Sequence, residues 1–143
     1  MSEHDEQCNL IDWARKNESV YPALKNLFAI PNGGLRNKRV AIKMKMEGLK
    51  AGIPDLFLAY PNLPSDPQDT YCFVDGNMNV MELNSDVYFG LFIEMKYGKN
   101  KTTEHQNDWI KRLRSEGYKC IVCYSWEEAR DEILEYVNKF AGE

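Results

Sequence analysis

Two short stretches hold residue types that can do chemistry together. Gly52-Ile53-Pro54-Asp55 supplies a carboxylate, and Ile93-Glu94-Met95-Lys96 supplies a second carboxylate and an ammonium two residues apart. In an extended strand, residues two apart project on the same face, so Glu94 and Lys96 would stand side by side. Met95 would then turn into the core, with its carbonyl left beside Glu94. A second strand beginning at Asp55 can bring its carboxylate alongside. Two carboxylates and a backbone carbonyl form a hard oxygen site that suits Mg2+ or Mn2+, ions that retain waters and bind phosphate oxygens. Such an ion makes a bound water acidic and polarises a phosphate. Lys96 would orient that water or offset the charge growing on the phosphate. The chemistry implied is metal-dependent phosphodiester hydrolysis. An acid-x-Lys pair on an exposed strand is commonplace, but this pair ends a nearly all-apolar run, Val87 to Met95. Charges placed there need a compensating role.

These residues need a scaffold, and the pattern of the chain suggests one. Glu3 to Lys16 reads as a helix in which Glu6, Leu10, Trp13 and Ala14 share a face. Pro22 opens a short helical piece through Asn26. Leu27 to Ile30 is a strand that stops at Pro31, and Pro31-Asn32-Gly33-Gly34 is a turn that permits close backbone approach. Asn37 caps a helix over roughly Lys38 to Glu47, with Val40, Ala41 and Met44 inward and Gly48 ending it. Asp55 to Tyr60 is a strand closed by Pro61. Residues 61–86 form an elaboration: Tyr71 to Val74 and Met78 to Leu83 pair as a hairpin around Asp75-Gly76. Val87 to Met95 is a central strand buried on both faces. Thr103 caps a helix from Glu104 to about Glu116, Lys119 to Tyr124 is a strand, and Ser125 to Glu128 is a capping box that opens the last helix. The expected class is α/β, a central mixed sheet flanked by helices with a hairpin insertion, in one domain over residues 1–143.

Charge and cysteine usage narrow the function. The net charge of −4 argues mildly against a nucleic-acid binder, but the cations are clustered. Residues 36–50 hold six basic side chains and one acid, Lys96, Lys99 and Lys101 form a second group, and Lys111, Arg112 and Arg114 a third. Local patches of this kind attract phosphate whatever the total charge. Cys120 and Cys123 form a C-x-x-C inside a strand-like run, where positions three apart face opposite ways. With no second pair and no histidines to complete a zinc site, they read as reduced core thiols. No apolar run approaches a membrane span, and the acidic start of the chain is unlike a secretory signal. The expected location is the cytoplasm (of a host cell, for a viral protein) or the nucleus.

The ordered set of motifs resembles a known family. Pro54-Asp55 followed some forty residues later by Glu94-Met95-Lys96 is similar to the PD-(D/E)xK nuclease signature. The finer pattern resembles the virus-type replication-repair nuclease domain, VRR-NUC. The matching parts are Ile30-Pro31-Asn32-Gly33-Gly34 with Arg36, Gly48 to Leu56, Ile93 to Lys96, Gln106 with Trp109, and Gly117 with the terminal strand and helix. The resemblance implies a restriction-endonuclease-like core and DNA hydrolysis with Mg2+ or Mn2+. It also implies a stand-alone, phage-like member that cuts branched or junction DNA as a homodimer. On residues, it implies a first-helix glutamate joining Asp55, Glu94 and the Met95 carbonyl at the metal. Glu6 is the choice for its inward face, with Glu3 one turn earlier as the alternative. Gln106 corresponds to the family's glutamine after the lysine strand, and Thr103 to Gln106 is also a capping-box spacing. Asn32, Gly33, Arg36, Lys50 and Lys99 are the candidate DNA contacts, and His105 is read as a surface residue. The competing reading is a non-catalytic nucleic-acid-binding module on the same fold, against which the intact acids and lysine speak.

Overall fold

The computed structural model describes residues 1–31, 37–73 and 81–141. Helix α1, Glu3–Lys16, starts where the Ser2 hydroxyl accepts the Asp5 amide. Acids fill its first turn and Arg15 and Lys16 its last, as the helix dipole favours. A 3-10 turn, Pro22–Asn26, leads into strand β1, Leu27–Ala29. Helix α2, Lys38–Met46, is capped by Asn37, and strand β2 is Leu56–Leu58. Strands β3, Tyr71–Phe73, and β4, Met81–Leu83, form a separate antiparallel pair. The expected hairpin is thus present, while its turn at Asp75-Gly76 lies outside the described residues. Strand β5 is Leu91–Met95, α3 is Glu104–Ser115, β6 is Lys119–Cys123 and α4 is Trp126–Asn138.

The main sheet has the order β1-β2-β5-β6. The first three strands pair antiparallel, and β5 and β6 pair parallel through the crossover helix α3. Register decides what each face carries. Leu56 opposes Ile93, Leu58 opposes Leu91, and Met95 opposes Cys123, so these six share one face. They bury against Leu10 and Ala14 of α1 and Ala129, Ile133 and Tyr136 of α4 to make the core. The other face holds Phe28, Phe57 and Phe92 in a cross-strand row, with ring centroids 5.7 and 4.3 Å apart. The register carried one residue beyond β2 puts Asp55 level with both Ile30 and Glu94 on this second face. The Ile30 amide donates to the Asp55 carbonyl at 2.8 Å, as that register requires.

Several expectations need correction. The expected strand Val87 to Met95 is regular only from Leu91. Tyr88 instead bridges to Asn62, and a Cβ on Gly90 would lie 2.6 Å from the Phe57 ring, so the chain bends where that ring crosses it. Nor is the run buried on both faces, since Phe89 is exposed. Similarly, β2 covers three residues rather than the whole of Asp55 to Tyr60. Helix α2 buries none of its residues: Val40 is exposed, and Ala41 and Met44 are only half-buried. At α4, Ser125 accepts the Glu128 amide as a capping box does, but the Glu128 carboxylate reaches one residue further back, to the Tyr124 amide. Both Cys120 and Cys123 are free and buried on opposite faces, as the strand period requires.

Candidate active site

The site lies where β2 and β5 part at one end of the sheet. Glu94 and Lys96 are 2% and 6% exposed, and the lysine ammonium lies 3.4 Å from Glu94 Oε1. Gln106, reaching in from the first turn of α3, donates its Nε2 to the same oxygen at 2.8 Å. Its own Oε1 accepts the Thr103 amide at 2.9 Å. Gln106 is therefore both the closing residue of a capping box and a ligand of Glu94. The box fixes the orientation of the side-chain amide, which in turn fixes the carboxylate.

Asp55 arrives from β2. Its Oδ2 accepts the Met95 amide at 2.8 Å, which replaces a rung of the β2–β5 ladder. The register places Pro54 opposite Met95, and proline has no N–H to donate to the Met95 carbonyl, so the ladder cannot continue there with its full pair of bonds. The Lys96 amide faces β6, donating to the Cys123 carbonyl, so Met95 faces β2 with both its amide and its carbonyl. The Met95 carbonyl thus opens toward Asp55 without a ladder donor from Pro54, while the Met95 side chain is fully buried in the core.

Electrostatics set this carboxylate apart. Burial, then the negative charge of Asp55, pushes Glu94 up from 4.5 to about 7, while Lys96 pulls the other way and Glu3 adds to the rise. Glu94 Oε2 is buried and has no hydrogen-bond partner among the described residues. An orphaned carboxylate oxygen beside a second carboxylate and an open carbonyl is a setting that a hard cation would complete. Among the described residues, no three His, Cys, Asp or Glu side chains converge tightly enough to hold an ion by themselves. The donor set that fits is therefore Asp55, Glu94 Oε2 and the Met95 carbonyl, with water filling the remainder.

The first-helix acid is placed differently from expectation. Glu6 is buried, but its Oε2 accepts the Trp126 amide at 2.7 Å, at the start of α4. A carboxylate there meets an unpaired helix N–H and the positive end of the dipole. Glu6 thus ties α1 to α4, and it is Glu3 whose charge reaches Glu94. Glu3 also lies 3.5 Å from the Asn100 side-chain amide, in the loop after β5.

The candidate DNA contacts divide. Asn32, Gly33 and Arg36 lie outside the described residues. The Lys50 ammonium stands 5.7 Å from the centre of the Trp109 ring, which carries a cation next to α3. Lys99 is exposed in the loop that follows Lys96. His105 is exposed, and its backbone has a role not read from the sequence. A Cβ on Gly52 would fall 2.7 Å from the His105 carbonyl group, and Gly52 adopts φ +88°. Only glycine lets the loop before Asp55 lie against the start of α3. The two cysteines are buried thiols, raised by desolvation to about 11 for Cys120 and about 12 for Cys123, and are poor candidates for chemistry.

A mixed sheet with two carboxylates and a lysine at one end of its central strands, flanked by helices, is the architecture of a nuclease-type α/β core. The VRR-NUC domain model matches residues 1–127, and the chain belongs to that family. A solved structure described as a VRR_NUC domain protein is similar over 96% of this chain and 89% of its own, with a TM-score of 0.65 and 23% identity. That likeness bears out the expected fold. None of the curated proteins matches. Among the described residues, no helix is long and apolar enough to cross a membrane.

Proposed function

We propose that this protein is a divalent-metal-dependent deoxyribonuclease that hydrolyses phosphodiester bonds in branched or otherwise non-uniform DNA. The observation that supports this most strongly is the buried Glu94 carboxylate. It has one oxygen held by Lys96 and Gln106 and the other without a hydrogen-bond partner among the described residues, beside Asp55. Asp55, Glu94 Oε2 and the Met95 carbonyl are the groups that would hold Mg2+ or Mn2+, with Glu3 rather than Glu6 as the helix acid behind them. When bound, such an ion supplies an acidic water and a positive charge next to the phosphate. Lys96 keeps its ammonium beside Glu94, where it offsets charge on the phosphate oxygens and positions the attacking water. Gln106 holds Glu94 in one rotamer and leaves Oε2 to the ion. Lys50, Lys99 and the cations of α2 draw the phosphate backbone toward this end of the sheet. A two-fold dimer would set two such sites at a fixed spacing, which suits a symmetric junction.

The test is cleavage of branched, flapped and plain duplex DNA with Mg2+ or Mn2+ by wild type, Asp55→Ala and Lys96→Ala, with the mass in solution measured on the same preparations. Each variant should lose on the order of a hundredfold or more in rate. Equal cleavage by all three proteins would end the proposal. Firm DNA binding without calorimetric Mn2+ binding would favour the non-catalytic module.

A further inference from the structure

We infer that the groove between α2 and the end of β1–β2 is a receptor for an unpaired nucleobase of the nucleic-acid substrate, which would let the protein recognise where a duplex ends. This rests on the nuclease reading above. The groove encloses about 420 Å3, inside the roughly 300–1,000 Å3 typical of small-ligand sites. Ile30, Met44, Leu49 and Ile53 give it apolar walls, and Glu47 and Lys50 are its charged members. Its position ties it to the chemistry. Ile53 is two residues before Asp55, and Ile30 is level with Asp55 and Glu94 in the same cross-strand row. A nucleotide whose phosphate lies at the acid pair would have its neighbour within reach of the groove.

The chemistry of the groove selects its occupant. Apolar walls favour the flat faces of a base, whereas among the described lining residues the sugar-phosphate would meet only Lys50 as a charged donor. A base in a duplex is stacked on both sides and cannot enter, while one on a single-stranded arm or beside a junction can be splayed out. The Glu47 carboxylate can accept from the exocyclic or ring N–H groups of guanine, adenine or cytosine. Around the groove the charge is complementary to phosphate: Lys38, Arg39, Lys43 and Lys45 on α2 are all exposed, and Lys50 stands over Trp109. The exposed cations of α2 become the electrostatic rim of a base-reading groove.

The experiment measures equilibrium binding of the full chain, with EDTA present, to a labelled duplex carrying a single-stranded arm. The same duplex is then made with an abasic residue at each unpaired position in turn. One or two positions next to the junction should respond, with binding about tenfold weaker when the base is missing. Met44→Trp and Leu49→Trp each fill the groove with a larger side chain. Each should weaken binding to the intact arm by a similar factor and make the abasic change silent. Far-UV and near-UV circular dichroism establish that each variant is folded, and the wild-type comparison stands even if one is not. Equal binding of intact and abasic arms by wild type refutes the inference. So does base dependence that survives in a folded groove-filled variant, or a groove variant that changes only the oligomeric mass. Cleavage of the intact arm with Mn2+ by wild type separates the two levels. Cutting without base dependence sinks only the groove, whereas neither binding nor cutting DNA sinks the nuclease reading with it.

Discussion

Glu94→Gln gives the most demanding test of the site. The amide is close in shape to the protonated acid and keeps an oxygen for Gln106, so the variant imitates wild type at low pH. Burial and Asp55 raise Glu94 from 4.5 to about 7 in the folded protein. The folded state therefore holds the proton more tightly than the unfolded chain. The stability associated with that proton is fully present below about 4.5 and is lost as pH rises through about 7. A displacement of this size corresponds to about 3 kcal/mol at ~1.36 kcal/mol per pH unit. Urea denaturation in EDTA should accordingly find the two proteins about equally stable near pH 4.5. At pH 8 the variant should be more stable by about 3 kcal/mol. Mn2+ should reverse the order at pH 8 by stabilising wild type alone, since binding to the folded state adds to its stability. Parallel stability–pH curves for wild type and variant would show that Glu94 carries no such strain.

Two further comparisons separate residues that the sequence alone runs together. Glu6→Ala should cost roughly 1–3 kcal/mol in thermal or urea unfolding by stripping the Trp126 amide of its buried acceptor, and leave calorimetric Mn2+ affinity intact. Glu3→Ala should do the opposite, with stability nearly unchanged and Mn2+ binding weakened about tenfold. Thr103→Ala should cost about 1 kcal/mol through loss of the α3 cap, with little change in cleavage. Gln106→Ala should cost a similar amount and also reduce the cleavage rate about tenfold or more, because it removes the donor on Glu94 Oε1.

The site was legible in the sequence where a short period controlled it. Glu94 and Lys96 had to share a face because a strand alternates, and Asp55 had to approach them once Leu56 to Leu58 paired with Leu91 to Ile93. Three of the helices were legible from their caps: Asn37, Thr103 and Ser125 each accept the expected amide. Distant partners were not legible. A buried acid on α1 has many possible answers, and the one Glu6 takes is an amide 120 positions away in the chain. Helical period could place Glu6 among the apolar anchors but could not place the start of α4 over it. Likewise the apolar residues of α2 predicted an inward face, but inwardness depends on what covers the helix. In this case Met44 lines an open groove and Val40 meets solvent.

Pro54 and Gln106 show how local structure and function share the same residues here. Pro54 is the residue that cannot continue the β2–β5 ladder. Its missing N–H leaves the Met95 carbonyl without a ladder donor, while the Met95 amide on the same edge is taken by the Asp55 side chain. Gln106 closes a capping box, a motif found at ordinary helix starts, and by closing it aims its amide at Glu94. In neither case does the structural role compete with the role in the site. Each local rule leaves a group with spare capacity, the Met95 carbonyl in one case and the Gln106 amide in the other. The carbonyl opens beside the half-buried Asp55 and the amide donates to the buried Glu94, so a helix cap and a ladder break that look routine in the sequence become supports of the candidate centre.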